Sequence, residues 1–268
     1  MIKEISSTQN PTIKILVALQ DKARERRKSG EFLIEGVREI NLALQAGFEL
    51  TRILFCYAIA NAEELQLLQS KLDKNVAQIA ITEEVYKKIA YRSGTEGIVA
   101  SAKAKQNQLT DLLLPKNPLI LIAEAPEKPG NIGALLRTAD AAGVDAFILA
   151  NPRTDLYNPN IIRSSVGGVF TMQIATGETE EVLTFLKEKN ISIYAAILQE
   201  AISYEKQDFT GSTAIVMGTE ADGLSEEWRK QSTQNIIIPM QGKIDSMNVS
   251  VAASILIFEA RRQRGFKE

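Results

Sequence analysis

From Asn10 onward, apolar side chains in "PTIKILVALQ" recur at helical spacing and then give way to the charged run "DKARERRKSG". The pattern predicts a helix over 11–29, stopped by Gly30. Four short runs rich in β-branched residues, "EFLIEG", "LTRILFCYA", "VAQIAI" and "GIVASAKA", predict strands. Between them "VREINLALQAG", "AEELQLLQSKLD" and "TEEVYKKIA" carry apolar positions at helical period. Each such element buries one face only, so the stretch reads as a small α/β layer structure.

Residues 103–118, "KAKQNQLTDLLLPKNP", break this alternation with polar side chains and two closing prolines, and "LTDLLL" within them predicts a short docked helix. The boundaries expected are a first domain over 1–104, a linker over 105–117 and a second domain over 118–268. In the second part the strand candidates "LILIAEA", "AFILA", "ISIYAAIL", "STAIVMG" and "NIIIPM" are nearly continuous apolar runs. Helices are predicted at "NIGALLRTADAAGV", "TEEVLTFLKEKN", "SEEWRKQST" and the closing "VSVAASILIFEARRQR", with "SSVGGVF" starting a further turn or helix. Strands apolar on both faces, with helical crossovers, imply a mostly parallel sheet covered on both sides.

Composition narrows the chemistry. The 268 residues are 45% hydrophobic, enough for a sizeable core, and the net charge of −2 leaves any anionic partner to be met by a local patch. One cysteine, Cys56, and no histidine exclude an internal disulfide, Ser-His-Asp and Cys-His catalysis, and zinc or haem centres, so no metal site is expected. The start, "MIKEISSTQNPTIKIL", lacks a secretory apolar block and no stretch reaches the roughly 20 apolar residues of a membrane span, which reads as a cytoplasmic protein off the membrane.

In an open parallel sheet, ligands sit beyond the carboxyl ends of the strands. Three loops there are rich in glycine and small polar residues: "EAPEKPGNIGALLRTADAAG", "MGTEADGLSEEW" and "PMQGKIDSMNVS". None matches the dinucleotide or P-loop glycine fingerprints. Taken singly, each is compatible with an ordinary strand-to-helix turn.

In this order, "GNIGALLRTADAAGV", "IVMGTEADGLS" and "IIIPMQGKIDSMNVSVAASILIFEA" resemble the SpoU (TrmH-like) family of ribose methyltransferases in the SPOUT superfamily, over roughly residues 118–262. The segment "SSTQNPTIKILVALQDKARERRKSGEFLIEGVREINLAL" is similar to the family's small L30e-like RNA-binding domain. The resemblance implies an α/β catalytic domain with a mostly parallel sheet and a deep trefoil knot, and a homodimer formed through that domain. It implies S-adenosylmethionine-dependent methylation of a ribose 2′-hydroxyl in structured RNA, most expected in rRNA. The alternatives are a tRNA enzyme, or an inactive RNA-binding or assembly factor of the same fold.

Carried over by motif, the resemblance puts Asn131, Arg137, Glu220, Ser246 and Asn248 at the reacting centre and Gly218, Ile238 and Met247 at the cofactor. An arginine beside the 2′-oxygen stabilises the developing oxyanion. On spacing alone, Arg137 reads equally as a surface arginine near Asp140, and Ser246 and Asn248 as helix caps. Where the family often has Asn-Glu-Gly, this chain has Thr219, Glu220 and Ala221. For RNA phosphates the candidates are Arg24, Arg26 and Arg27, with Lys22 and Lys28 in the same run, and Arg153 and Arg163; Asp21 and Glu25 make a solvated helix face the rival reading.

Overall fold

The structure, a computed structural model, describes residues 2–91, 96–219, 222–243 and 246–266. Its first elements are β1 (Lys3–Ile5), α1 (Pro11–Asp21), α2 (Ala23–Ser29), β2 (Glu31–Glu35), α3 (Val37–Gln45), β3 (Leu50–Phe55), α4 (Ala62–Ser70), β4 (Ala77–Ile81), α5 (Glu83–Ile89) and β5 (Ile98–Lys103). There follow β6 (Leu119–Glu124), α6 (Pro129–Ala141), β7 (Ala146–Ala150), α7 (Pro159–Ser164), α8 (Gly168–Thr171), β8 (Ile174–Gly177), α9 (Thr179–Glu188) and β9 (Ser192–Ala196). The last are β10 (Ala201–Ser203), β11 (Thr213–Met217), α10 (Glu226–Gln231), β12 (Gln234–Ile237) and α11 (Val249–Arg264). The docked helix expected at "LTDLLL" is a single 3-10 turn, Leu109–Asp111.

The chain forms two compact units, Met1–Gln106 with Asp155–Thr171, and Asn107–Thr154 with Met172–Glu268. Asp155–Thr171 thus packs with the first unit. Rings explain why: Tyr157 stacks on Phe32 at 4.2 Å, and Phe170 meets Phe48 edge-on at 5.2 Å, all four side chains being buried. Aromatic pairs of this kind combine large burial with a specific geometry.

In the first unit the described strands order as β1-β4-β3-β5-β2, with β1, β4 and β3 parallel and β5 antiparallel to β3 and β2. Ile13, Leu16 and Leu19 of α1 pack with Leu33, Leu54, Ile79 and Val99 of the sheet in one core. The single helix predicted over 11–29 is two helices, broken at Lys22, whose φ of −123° is extended. Arg26 compensates the break. Its guanidinium turns inward, pairs with Asp155 and donates to the carbonyls of Leu19 at 2.6 Å and Gln20 at 3.0 Å. Carbonyls at a helix end lack intrahelical donors, and Arg26 supplies them. Gly30 closes α2 in the left-handed conformation at φ 67°, as a C-terminal glycine does.

In the second unit the described strands order as β10-β12-β9-β11-β6-β7-β8, every neighbouring pair parallel. Ile120, Ile122, Ile148, Ala214 and Val216 lie fully buried in its core with Trp228. The parallel sheet predicted from continuous apolar runs is therefore present. Two strands escape the pattern: β8 ends in Thr176 and Gly177, and β10 has three residues at the sheet edge, too few for a readable period.

Helices α6 and α11 lie side by side and run the same way, fixed at three levels. Asn248 meets Asn131 at 3.2 Å, the Thr138 and Ser254 hydroxyls meet at 3.4 Å, and Arg261 donates from Nε to Ala142 O at 2.8 Å. Arg264 seats the far end of α11 by donating to the carbonyls of Phe209, Asn117, Pro118 and Gly211. Burial holds its guanidinium pKa below the usual arginine value.

Candidate active site

The carboxyl ends of β6 and β11, adjacent in the sheet, open onto a cleft of about 100 Å³ lined by Ala123, Pro126, Lys128, Asn131, Gly218 and Asp222. Glu127, Leu135, Thr219 and Val249 also line it. Its position follows from the all-parallel topology, in which chains leave the sheet on this side for their crossover helices.

Pro129 opens α6 at its first turn, where a missing N–H does no harm, and this sets Asn131 at the helix entrance. Asn248 caps α11: its Oδ1 accepts from the N–H of Ser250 at 2.9 Å and from the Ser250 hydroxyl at 2.6 Å. With Oδ1 committed to the cap, Nδ2 points the other way and donates to Asn131 Oδ1 at 3.2 Å. The first and third motifs meet in that bond.

The second motif supplies the opposite wall. Thr219 and Gly223 exchange two backbone hydrogen bonds, 3.0 and 3.2 Å, which hold the two residues together beyond β11. A side chain on Gly218 would overlap the backbone of Gly223 and Leu224; only glycine fits. Glu220 lies outside the described residues.

Arg137 is exposed on α6, six positions along from Asn131. Ile238 is half-buried just after β12; Ser246 is exposed and Met247 half-buried just before the α11 cap. In the first unit, Arg24, Arg27 and Lys28 are exposed on α2 whereas Arg26 is 4% exposed, so Arg26 is no part of a basic surface. Its charge is spent on Asp155 and two carbonyls. Arg153 is exposed and ion-paired with Glu127, and Arg163, on α7 of the first unit, lies 5.8 Å from the Tyr91 ring centre.

Glu124 lies outside the three motifs, and sequence reasoning misses it. It is 5% exposed at the end of β6 and accepts three bonds: from Ser225 N at 2.7 Å, Ser225 Oγ at 2.6 Å and Thr179 Oγ1 at 3.2 Å. Asn151 joins from just beyond β7, accepting from Thr179 N at 2.9 Å and donating to Thr179 Oγ1 at 2.8 Å. A signal is nonetheless legible: a carboxylate closing the otherwise apolar run "LILIAE" must find donors, since a buried charge is held only when paired or hydrogen-bonded.

Among the described residues no group of three or more His, Cys, Asp or Glu side chains is placed to hold a metal, and no helix is long and apolar enough to cross a membrane.

Comparison with known proteins converges on one family. The profile of the SpoU rRNA Methylase family matches residues 118–258, and that of the MRM3-like substrate binding domain matches residues 10–100. The 23S rRNA (guanosine(2553)-2'-O)-methyltransferase RlmP of Bacillus subtilis is 27% identical, over 97% of this chain and 100% of its own length. The 23S rRNA (guanosine-2'-O-)-methyltransferase RlmB of Vibrio parahaemolyticus is 32% identical, over 88% of this chain and 98% of its own. The crystal structure of an AdoMet-bound rRNA methyltransferase from Sinorhizobium meliloti superposes with a TM-score of 0.90 at 27% identity, covering 97% of this chain and 98% of that one.

Proposed function

The chain belongs to the SpoU rRNA methylase family, and from that premise we propose that it methylates a ribose 2′-hydroxyl of 23S ribosomal RNA in the cytoplasm, using S-adenosylmethionine. The observation that carries the reading is the convergence of the three motif segments on one cleft, with Asn131 and Asn248 in contact and Gly218 on the facing wall.

S-adenosylmethionine, when bound, supplies a methyl group made electrophilic by its sulfonium sulfur. The cleft suits such a group: Gly218 leaves backbone bare toward it, and Ala123, Leu135 and Val249 offer apolar surface, with Ile238 and Met247 assigned to the cofactor by their places in the motifs. Its enclosed space of about 100 Å³ is below the roughly 300 Å³ at which small-molecule pockets begin. Asn131 and Asn248 orient the ribose, Ser246 lies beside them in sequence, and Glu220 orders the loop after Gly218. Arg137 stabilises the charge that develops on the 2′-oxygen. The chain has no histidine to take the hydroxyl proton, and a guanidinium is a poor base, so the proton passes to a carboxylate or to water.

The first unit binds RNA, with Arg24, Arg27, Lys28 and Arg163 as its phosphate ligands, and Arg153 of the second unit adds a further one. The homodimer and the threaded carboxyl-terminal path belong to the same reading. They are supported by the parallel seat of α11 on α6 and by the exposed apolar side chains of α11. The test is transfer of labelled methyl from S-adenosylmethionine to unmodified 23S rRNA and to tRNA. Transfer to rRNA is expected, falling about 100-fold in Arg137→Ala, the usual loss with an oxyanion donor. Transfer to tRNA alone would move the substrate, and transfer to neither would overturn the enzyme.

A further inference from the structure

The buried carboxylate of Glu124 touches no surface of the cleft, yet it holds the loop that forms one wall. We propose that Glu124 is a positioning residue for cofactor binding, acting through Ser225 to fix Gly223 and Leu224 against Gly218 and Thr219. The inference rests on the reading of the cleft as the S-adenosylmethionine site.

The path from carboxylate to cleft is short. Gly218 and Thr219 line the cleft. Gly223 is bonded to Thr219 in both directions, and Gly223 and Leu224 press on the Gly218 α-carbon, so the two arms of the loop move together. Ser225, next in the chain, is tied to Glu124 by both its N–H and its hydroxyl. Glu124 follows Ala123, which lines the cleft from β6. The carboxylate therefore locks Ser225, on the returning arm after β11, to the end of β6. Both oxygens accept: Oε2 from Ser225 N, Oε1 from Ser225 Oγ and Thr179 Oγ1. A glutamine keeps one oxygen acceptor and puts a neutral amide in place of the other, so the charge-assisted character of these bonds is lost.

The network offers its own control. Thr179 bonds the same carboxylate and is equally buried, but it begins α9 and is no part of the loop. The experiment measures S-adenosylmethionine affinity by calorimetry, with a thermal melt, for wild type, Glu124→Gln, Ser225→Ala and Thr179→Val. Bonds to charged groups are worth enough for the dissociation constant to rise about tenfold in Glu124→Gln and roughly three- to tenfold in Ser225→Ala. Thr179→Val should lower the melting temperature and leave the affinity within about twofold, since its bond does not reach the loop. Steady-state assays of the folded variants should show the loss in KM for S-adenosylmethionine rather than in kcat. Ser225→Ala keeps the test alive if Glu124→Gln does not fold. Unchanged affinity in the folded loop-side variants, or an equal loss in Thr179→Val, overturns the positioning role and leaves the function standing. Failure of the wild type to bind S-adenosylmethionine overturns both.

Discussion

Asn248 donates from Nδ2 to Oδ1 of Asn131 at 3.2 Å, joining helix entrances that lie 117 positions apart in the chain. The same side chain caps α11 through its other amide atom, so one residue serves the fold and the site at once.

That double use is separable by substitution. Asn248→Ala removes the cap and should destabilise the protein by about 1 kcal/mol. Asn248→Ser keeps a capping oxygen but loses the amide that reaches Asn131. We expect Asn248→Ser to melt within a degree or two of wild type while methyl transfer falls at least tenfold, and Asn248→Ala to lose both. Equal activity in Asn248→Ser and wild type would remove the amide from the reacting centre.

Gly218→Ala forces a methyl group into the backbone of Gly223 and Leu224, neither of which is a flexible side-chain end. Overpacking of this kind typically costs about 1–3 kcal/mol. The strain can be relieved only by opening the Thr219–Gly223 turn, which distorts the cleft wall. The variant should therefore lose S-adenosylmethionine affinity in calorimetry at temperatures where circular dichroism still reports a folded chain. Retained affinity would show that the wall tolerates opening.

Much of this is legible in the sequence because it rests on period and order. The apolar runs "LILIA", "AFILA" and "TAIVM" are parallel strands buried on both faces, as their lack of alternation requires. What period cannot carry is where a polar side chain points once the chain has folded. Arg26 sits in the middle of a basic run and reads as surface, yet the break at Lys22 turns it inward onto Asp155, 129 positions away. Glu124 escapes notice for the complementary reason: it ends a strand, and its partners Thr179 and Ser225 lie 55 and 101 positions further on. Tyr157 and Phe170 likewise join the first unit through Phe32 and Phe48, a long-range packing that composition at residues 103–118 does not reveal.

The inward turn of Arg26 separates stability from RNA binding. Removing one partner of a buried ion pair leaves the other charge stranded and typically costs about 3–5 kcal/mol. Arg26→Ala should thus lower the melting temperature sharply and, while folded, bind RNA with unchanged salt dependence. Arg24→Ala with Arg27→Ala should do the reverse. Removing one cation from a phosphate lowers the slope of log affinity against log salt by somewhat under about one unit on duplex RNA, by analogy with B-DNA. A filter-binding series over salt concentration distinguishes the two, and an unchanged slope in the double variant would clear α2 from the RNA surface.

Helix α11 is apolar on two sides, and only one is covered. Ala253, Leu256, Ile257 and Ala260 are buried, whereas Val251 is 51% and Phe258 38% exposed with Ile255 half-buried between them. Positions 251, 255 and 258 follow the i, i+4, i+7 spacing of one helix stripe, so the exposed residues form a strip rather than scattered points. The strip starts two residues beyond Val249, which lines the cleft, so a partner seated on it would stand beside the cofactor site. In a two-fold interface each substitution acts twice, because the same patch is offered by both copies. Val251→Glu with Phe258→Glu should therefore convert a species of twice the 29.5 kDa chain mass into one of 29.5 kDa in light scattering. If the second copy completes the cofactor site, the same variant should lose S-adenosylmethionine affinity while its circular dichroism stays native. A wild type of single-chain mass would assign the strip to another partner, and a monomeric variant that binds the cofactor normally would show that each subunit holds it alone.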